Sequence, residues 1–294
     1  DVVGVAAIAP RRMLRDGREI RAGILAHFAV SPEHRSLGPA LTLLGHLLAQ
    51  AREDCEVVIG IPRNSPGAGA VLKRAGLQPL TDLVRRVKLL RHAHYLERRL
   101  PTLLAAPVGR CLDVVRSLPE RWRYLTGRAL AARWQRDIAT GTSLARDMDT
   151  LWTSARPQQG LTSVRDGRML AWRFDPSTAG DIRYLCLRDA DGGALLAWFA
   201  CSVDPQWPHI LNVEDFWARG AQQAMPLAFI DALSRQARRD GYAAISLEFA
   251  GTAGRNASWI RAGFVERERQ TVFALFPRDA RTDDLHLTNL DRDG

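Results

Sequence analysis

Short apolar runs alternate with polar turns and longer apolar helices along the chain, and this rhythm predicts its elements. Val2 to Ile8 is rich in Val and Ala and predicts a strand. Arg15-Asp16-Gly17-Arg18 carries an Asp-Gly turn signal, and Ile24 to Val30 predicts a second strand, so the two form an antiparallel hairpin. Ser31 to Gly38 is a polar loop. Pro39 to Glu53, with Leu41, Leu43, Leu44, Leu47 and Leu48, predicts a buried helix whose first turn tolerates Pro39. Glu56 to Ile61 predicts a buried strand. Asn64 to Gly69 predicts a loop, and Ala70 to Ala75 a short helix stopped by Gly76. A further strand follows around Leu83 to Leu89.

Between Arg91 and Arg136 the pattern changes. Pro101, Pro107 and Pro119 predict a series of short helical pieces. From Leu144 onward strands and helices resume. Arg183–Leu187 and Ala194–Ser202 flank Asp189-Ala190-Asp191-Gly192-Gly193, a hairpin signal. His209 to Phe216 predicts a strand and Gly220 to Asp240 a long helix. Ala243 to Phe249 predicts a buried strand. A short helix then ends at Gly263, before a last strand over Gln270 to Phe276. The polar residues after Arg278 predict a frayed tail.

Read as element types, the two halves repeat one order: hairpin, strand, long helix, buried strand, short helix, Gly, strand. Arg74-Ala75-Gly76-Leu77 matches Arg261-Ala262-Gly263-Phe264 in register with that order. The expectation is an α/β (α+β mixed-sheet) fold built as two units. The first covers 1–90, a basic helical linker 91–140, the second 141–280, and a flexible tail 281–294.

Composition narrows the function classes. At 294 residues the chain can hold two cores of domain size. No apolar run approaches the roughly 20 residues needed to span a bilayer, and no leader pattern opens the sequence. Together these point to a cytoplasmic protein. The net charge is +9, and only Lys73 and Lys88 are lysines. Arginine-favouring codons explain that richness, and so does a partner with phosphates or an anionic surface. Between Thr81 and Arg133 twelve Lys/Arg face four Asp/Glu. That segment reads as solvated helices bridging two units, or as a weak contact to an anionic membrane through 81–136. Trp122 and Trp134 among its arginines suit either packing between units or a surface contact. No nucleic-acid partner is expected, and the oligomeric state stays open. Cys55, Cys111, Cys186 and Cys201 lack metal-like spacing, so free thiols and no metal site are expected.

The element order, with Val30-Ser31-Pro32-Glu33-His34-Arg35-Ser36-Leu37-Gly38-Pro39-Ala40 between a strand and a helix, resembles the GNAT superfamily of acyl-CoA-dependent N-acyltransferases. Its loop pattern is Arg/Gln-x-x-Gly-x-Gly/Ala, and Arg35, Gly38 and Ala40 fill the three slots. The resemblance implies acetyl-CoA or another acyl-CoA as co-substrate. It places the pyrophosphate on the backbone amides of Arg35, Ser36, Leu37, Gly38, Pro39 and Ala40. A helix N-terminus suits an anion, through unpaired N–H groups and a partial positive charge. Pro39 removes one of those donors.

The resemblance also gives Phe28, Ala29 and Val30 the thioester carbonyl and puts Asn64 near a cofactor-contacting asparagine, one residue out of register. His27 and Glu33 are the candidate bases for an amine acceptor, a small molecule or a glycan amino sugar. The tyrosine acid that many members carry four residues before the last glycine is replaced by Leu72, and by Trp259 in the second half. No Arg or Gln stands three residues before Gly220, so the second loop is degenerate. The stretch Gly160-Leu161-Thr162-Ser163-Val164-Arg165-Asp166, with Trp172-Arg173-Phe174 soon after, resembles tandem GNAT-like proteins of exopolysaccharide gene clusters. Little precedes Val2, where a full GNAT domain has a strand and two helices. The first unit is therefore truncated, completed by the second, or not a working enzyme. A catalytically inert scaffold that binds a partner or glycan precursor is the alternative function.

Overall fold

The computed structural model describes residues 2–34, 37–62, 66–96, 102–126, 130–136, 138, 141–175, 181–190, 193–220, 224–276 and 284–292. Strands β1 (Gly4–Arg15) and β2 (Arg18–Val30) form the expected hairpin. Asp16 (φ 51°) and Gly17 (φ 76°) make its turn. Two successive positive φ values match the right-handed twist of the flanking strands, which is why an Asp-Gly pair sits there. Helix α1 (Leu37–Asp54), β3 (Val57–Gly60), α2 (Pro66–Arg74) and β4 (Gln78–Leu89) complete the first run.

The second run consists of β7 (Arg183–Asp189), β8 (Leu195–Ser202), β9 (Ile210–Ala218), α7 (Leu227–Arg239), β10 (Ala244–Gly251), α8 (Ala253–Arg261) and β11 (Val265–Leu275). Between the runs lie α3 (Ala93–Leu96), α4 (Thr102–Thr126), β5 (Leu130–Gln135), α5 (Ser143–Ala155), β6 (Leu161–Ser163) and α6 (Gly167–Arg173).

The matched tetrapeptides have one structural cause. After α2, Gly76 takes φ 98°, its N–H bonds the Lys73 carbonyl, and the Leu77 N–H bonds that of Leu72. After α8, Gly263 takes φ 91°, bonding Ile260, and Phe264 bonds Trp259. Both are the same glycine-ended helix cap, with a buried apolar residue after the glycine packing toward the last turn.

The strand order is β12-β6-β1-β2-β3-β11-β4-β10-β9-β8-β7-β5, with β12 (Leu285–Thr288) also pairing β10. This order interleaves the halves. The last strand of each run pairs antiparallel with the other, Val265 opposite Val87 through Ala274 opposite Gln78. Each also borders the other run's buried strand, β11 against β3 and β4 against β10. Because β12 joins β10 to β6, eight strands close into a ring. Met13, Ile20, Ile24, Ile59, Leu83, Val272 and Leu287 form one buried cluster with residues from every strand of that ring. Closure removes sheet edges there. A second core of Leu44, Leu48, Val58, Leu72, Leu77 and Phe273 joins α1 and α2 to the sheet. The largest core is built on β7–β10 with α5, α7 and α8.

Three expectations are corrected. The linker is not a run of short helices: α4 is continuous with Pro107 and Pro119 inside it, and residues 130–135 form the sheet-edge strand β5. Burial of Glu120 under α4 and backbone pairing of β5 to β7 override the proline signal. The described tail residues, 284–292, are not frayed, since Leu285, Leu287, Leu290 and Asp291 are buried. The apolar–polar alternation of Leu285-His286-Leu287-Thr288 supplies the strand. The first strand also runs on to Arg15, beyond Ile8, because its arginines find partners, Arg12 bonding Glu19 and Asp166.

Candidate acyl-CoA site and its closed counterpart

Strands β2 and β3 run parallel but pair only from Ala22–Val57 to Ile24–Ile59. Beyond Ile24, β2 continues to Val30 paired with β1 alone, because β3 ends at Gly60, one residue past its last pair with β2. The β1–β2 register shifts between Val5 and Ala7, and His27 sits opposite that shift with φ 48°. A non-glycine residue at positive φ in a strand marks a bulge, which bends the strand and breaks its pairing. The bulge lies three residues past the last β2–β3 pair.

Because α1 follows β2 and precedes parallel β3, its N-terminus lies at this same end of the sheet. Carboxyl ends of parallel strands beside a helix N-terminus form the usual crevice for phosphate ligands. Gly38 lies in the first turn of α1, and a Cβ there would meet nothing within 4 Å. Ala40 is buried and Pro39 half-buried. Pro39 falls among the four residues whose N–H groups have no ladder partner, so it costs the helix no bond. Leu37 begins α1. Arg35, Ser36 and Asn64 lie outside the described residues.

The candidate bases differ in setting. His27 is exposed on the bulge; Phe28 and Val30 are half-buried and Ala29 exposed. Glu33 lies on a 3-10 turn (Pro32–His34) and accepts a hydrogen bond from the Ser31 hydroxyl. That bond, with a backbone one, holds its carboxyl below the ordinary carboxylate range. A lowered pKa makes Glu33 a weaker proton acceptor near neutral pH. Leu72 and Trp259, at the tyrosine positions, are both buried in the core.

In the second run two parallel strands part in mid-course. Strands β9 and β10 pair from Ile210–Ala244 to Val213–Leu247 and then separate. Here the gap is filled. Strand β12 takes the place of β9 beside β10, with Phe249 opposite Thr288 and Gly251 opposite His286. The His286 ring lies 5.0 Å from the rings of Phe216, Trp217 and Phe249. Thr288 donates to Asp215 at 2.7 Å, and Asn289 donates to Glu214 at 2.9 Å.

A buried ionic knot locks this plug. Arg165 is fully buried; its Nε donates to the Asp215 carboxylate at 3.0 Å, its Nη1 to the Ser163 carbonyl at 2.9 Å, and its Nη2 lies 3.6 Å from Asp291. Ser163 donates to Asp291, and Thr288 with Asp291 closes a capping box. Burial, reinforced by Asp291 and opposed by Arg165, pushes Asp215 up to about 6. Burial, with Arg165 and Arg255 nearby, pushes His286 well below its ordinary value. Sequence reading missed this knot. Its partners are distant in sequence, and Arg165 stood inside a stretch valued only for its resemblance.

No family model matches the sequence, and no curated protein sequence does. Solved structures match throughout. A conserved protein from Enterococcus faecalis V583, described as a probable N-acyltransferase, superposes with a TM-score of 0.61 at 9% identity over 93% of this chain and 59% of its own. A GCN5-related N-acetyltransferase from Anabaena variabilis superposes at 0.58, with 11% identity over 93% and 60%. The chain has the GNAT fold. Saccharomyces cerevisiae N-myristoyltransferase, solved with bound myristoyl-CoA, superposes at 0.57 with 10% identity, covering 99% of this chain and 73% of that one. The chain spans about 60% of the length of the two bacterial GNAT-fold structures. Among the described residues no cluster of His, Cys, Asp or Glu is arranged to hold a metal, and no helix is long and apolar enough to cross a membrane.

Proposed function

We propose that the chain is an N-acyltransferase that takes an acyl group, acetyl in the simplest case, from acyl-CoA bound at the carboxyl ends of β2 and β3. The observation that carries this reading is the His27 bulge on β2, three residues past the last β2–β3 pair and at the same end of the sheet as the N-terminus of α1. The bound thioester carbonyl would lie along Phe28–Val30, where backbone N–H groups can stabilise the developing oxyanion. The acceptor nitrogen attacks the carbonyl carbon and gives up its proton to His27, directly or through water. The C–S bond then breaks and the CoA thiolate takes a proton from solvent. An amino sugar of a surface polysaccharide is the acceptor this reading favours. The chain is read as two GNAT-like units of which only the first keeps a working cofactor gap.

One experiment tests this reading. Acetyl-CoA at about 100 times its dissociation constant should stabilise the protein by roughly 2.7 kcal/mol. Gly38→Glu should abolish that thermal shift without unfolding the chain, since its side chain enters open space and glutamate favours helix over glycine. A shift equal to wild type in Gly38→Glu would remove the site. The inert-scaffold reading is favoured by Leu72 and Trp259 standing in the core at the tyrosine positions. It predicts no shift with any acyl-CoA.

A further inference from the structure

Helix α4 presents an apolar face to solvent. Leu104, Val108, Val115, Leu118 and Trp122 are 55%, 42%, 62%, 53% and 69% exposed, and Cys111 is exposed as well. At 3.6 residues per turn these six positions fall on one line, widened by exposed Leu112 and Val114. Exposed Arg110 and Arg116 flank that line on opposite sides. The helix's acids lie on the far side and face the protein. Asp113 accepts from the His92 backbone N–H at 2.8 Å, and Glu120 is buried against Lys88 and Arg238. The outward face is therefore apolar in the middle and cationic at its edges.

We propose that this face of α4 lies on an anionic membrane surface. The Val/Leu stripe would sit at the boundary of headgroups and acyl chains, and Arg110 and Arg116 would sit at the lipid phosphates. An apolar stripe of this length is costly to leave in water, and a helix with basic flanks and a tryptophan is the composition that binds anionic interfaces. The line of apolar residues also has the spacing of a helix-pairing seam. Two copies of α4, however, would set arginine flanks against each other with no outward acid to compensate. Charge complementarity thus selects the lipid surface over a second copy.

The test is flotation of the full chain with vesicles of phosphatidylcholine alone and with phosphatidylglycerol added. Binding is expected on the anionic vesicles only, falling as salt rises. Arg110→Gln and Arg116→Gln should each lower the partition coefficient about fivefold. Val115→Glu with Leu118→Glu should abolish binding while leaving the melting temperature unchanged, because both positions are exposed. Failure to float at low salt would overturn the proposal. So would flotation unaffected by the double variant. A wild-type dimer that this variant turns into a monomer, with no flotation, would assign the face to a second copy instead.

Discussion

At the residue scale the plug of the second gap turns on a few buried groups. Asp215 and Asp291 share the single guanidinium of Arg165, with all three buried. Asp215, at about 6, binds a proton in the folded chain over a range where an unfolded Asp has lost it, so its contribution to stability is lost as pH rises through 6. His286 acts in the opposite sense. Its depressed folded pKa means that only the unfolded chain takes up a proton below about 6.5, so stability falls as pH drops. The two slopes oppose each other below about pH 6, that of Asp215 running between about pH 4 and 6. Asp215→Asn removes one of them. Its stability, followed by urea titration, should then fall about 1.4 kcal/mol per pH unit more steeply than wild type as pH drops through that window; parallel curves would contradict this account. Gly263→Ala is a simpler case. A Cβ at φ 91° should cost about 1 kcal/mol in the same titration.

The glycine caps were legible in the sequence because their cause is local: an αL residue ends a helix and an apolar residue follows. The knot was not legible, because Arg165, Asp215 and Asp291 meet only through tertiary pairing of β6, β9 and the segment after β12. His27 was singled out for its chemistry, whereas its positive φ came only with the strand register. The tyrosine positions, read as losses of an acid, prove to be core positions that make the helix caps.

At the element scale α4 is held by its inward face. Glu120 bonds Lys88 and Arg238, and Arg123 donates to Asp231 at 2.7 Å. Burial drives the Lys88 ammonium down, with Glu120 opposing it. Removing one partner of a buried pair strands the other, so Glu120→Ala should cost about 3–5 kcal/mol, read by chemical denaturation. A loss below 1 kcal/mol would mean that α4 is not anchored there. The charge count for this segment was legible, but its sense was not. Lys88 and Arg86 proved buried, and Arg110 and Arg116 proved exposed, an assignment that depends on which face of each element meets the sheet.

At the scale of the whole molecule, the order of elements foretold a mixed α/β sheet, and it could not foretell the exchange of strands between the halves. Pairing partners far apart in sequence are chosen by the fold as a whole, so β11 between β3 and β4 leaves no local mark. Interleaving predicts that the halves unfold together. Calorimetry should give one transition whose van't Hoff and calorimetric enthalpies agree, and two separated peaks would contradict it. In the proposed function acyl-CoA binds at the carboxyl ends of β2 and β3, whereas β12 fills the space between β9 and β10. Titration calorimetry of the full chain with acetyl-CoA separates the two sites. One ligand per chain, with binding lost in Gly38→Glu, is the predicted result. Two ligands per chain, none, or a wild-type isotherm in Gly38→Glu would contradict it.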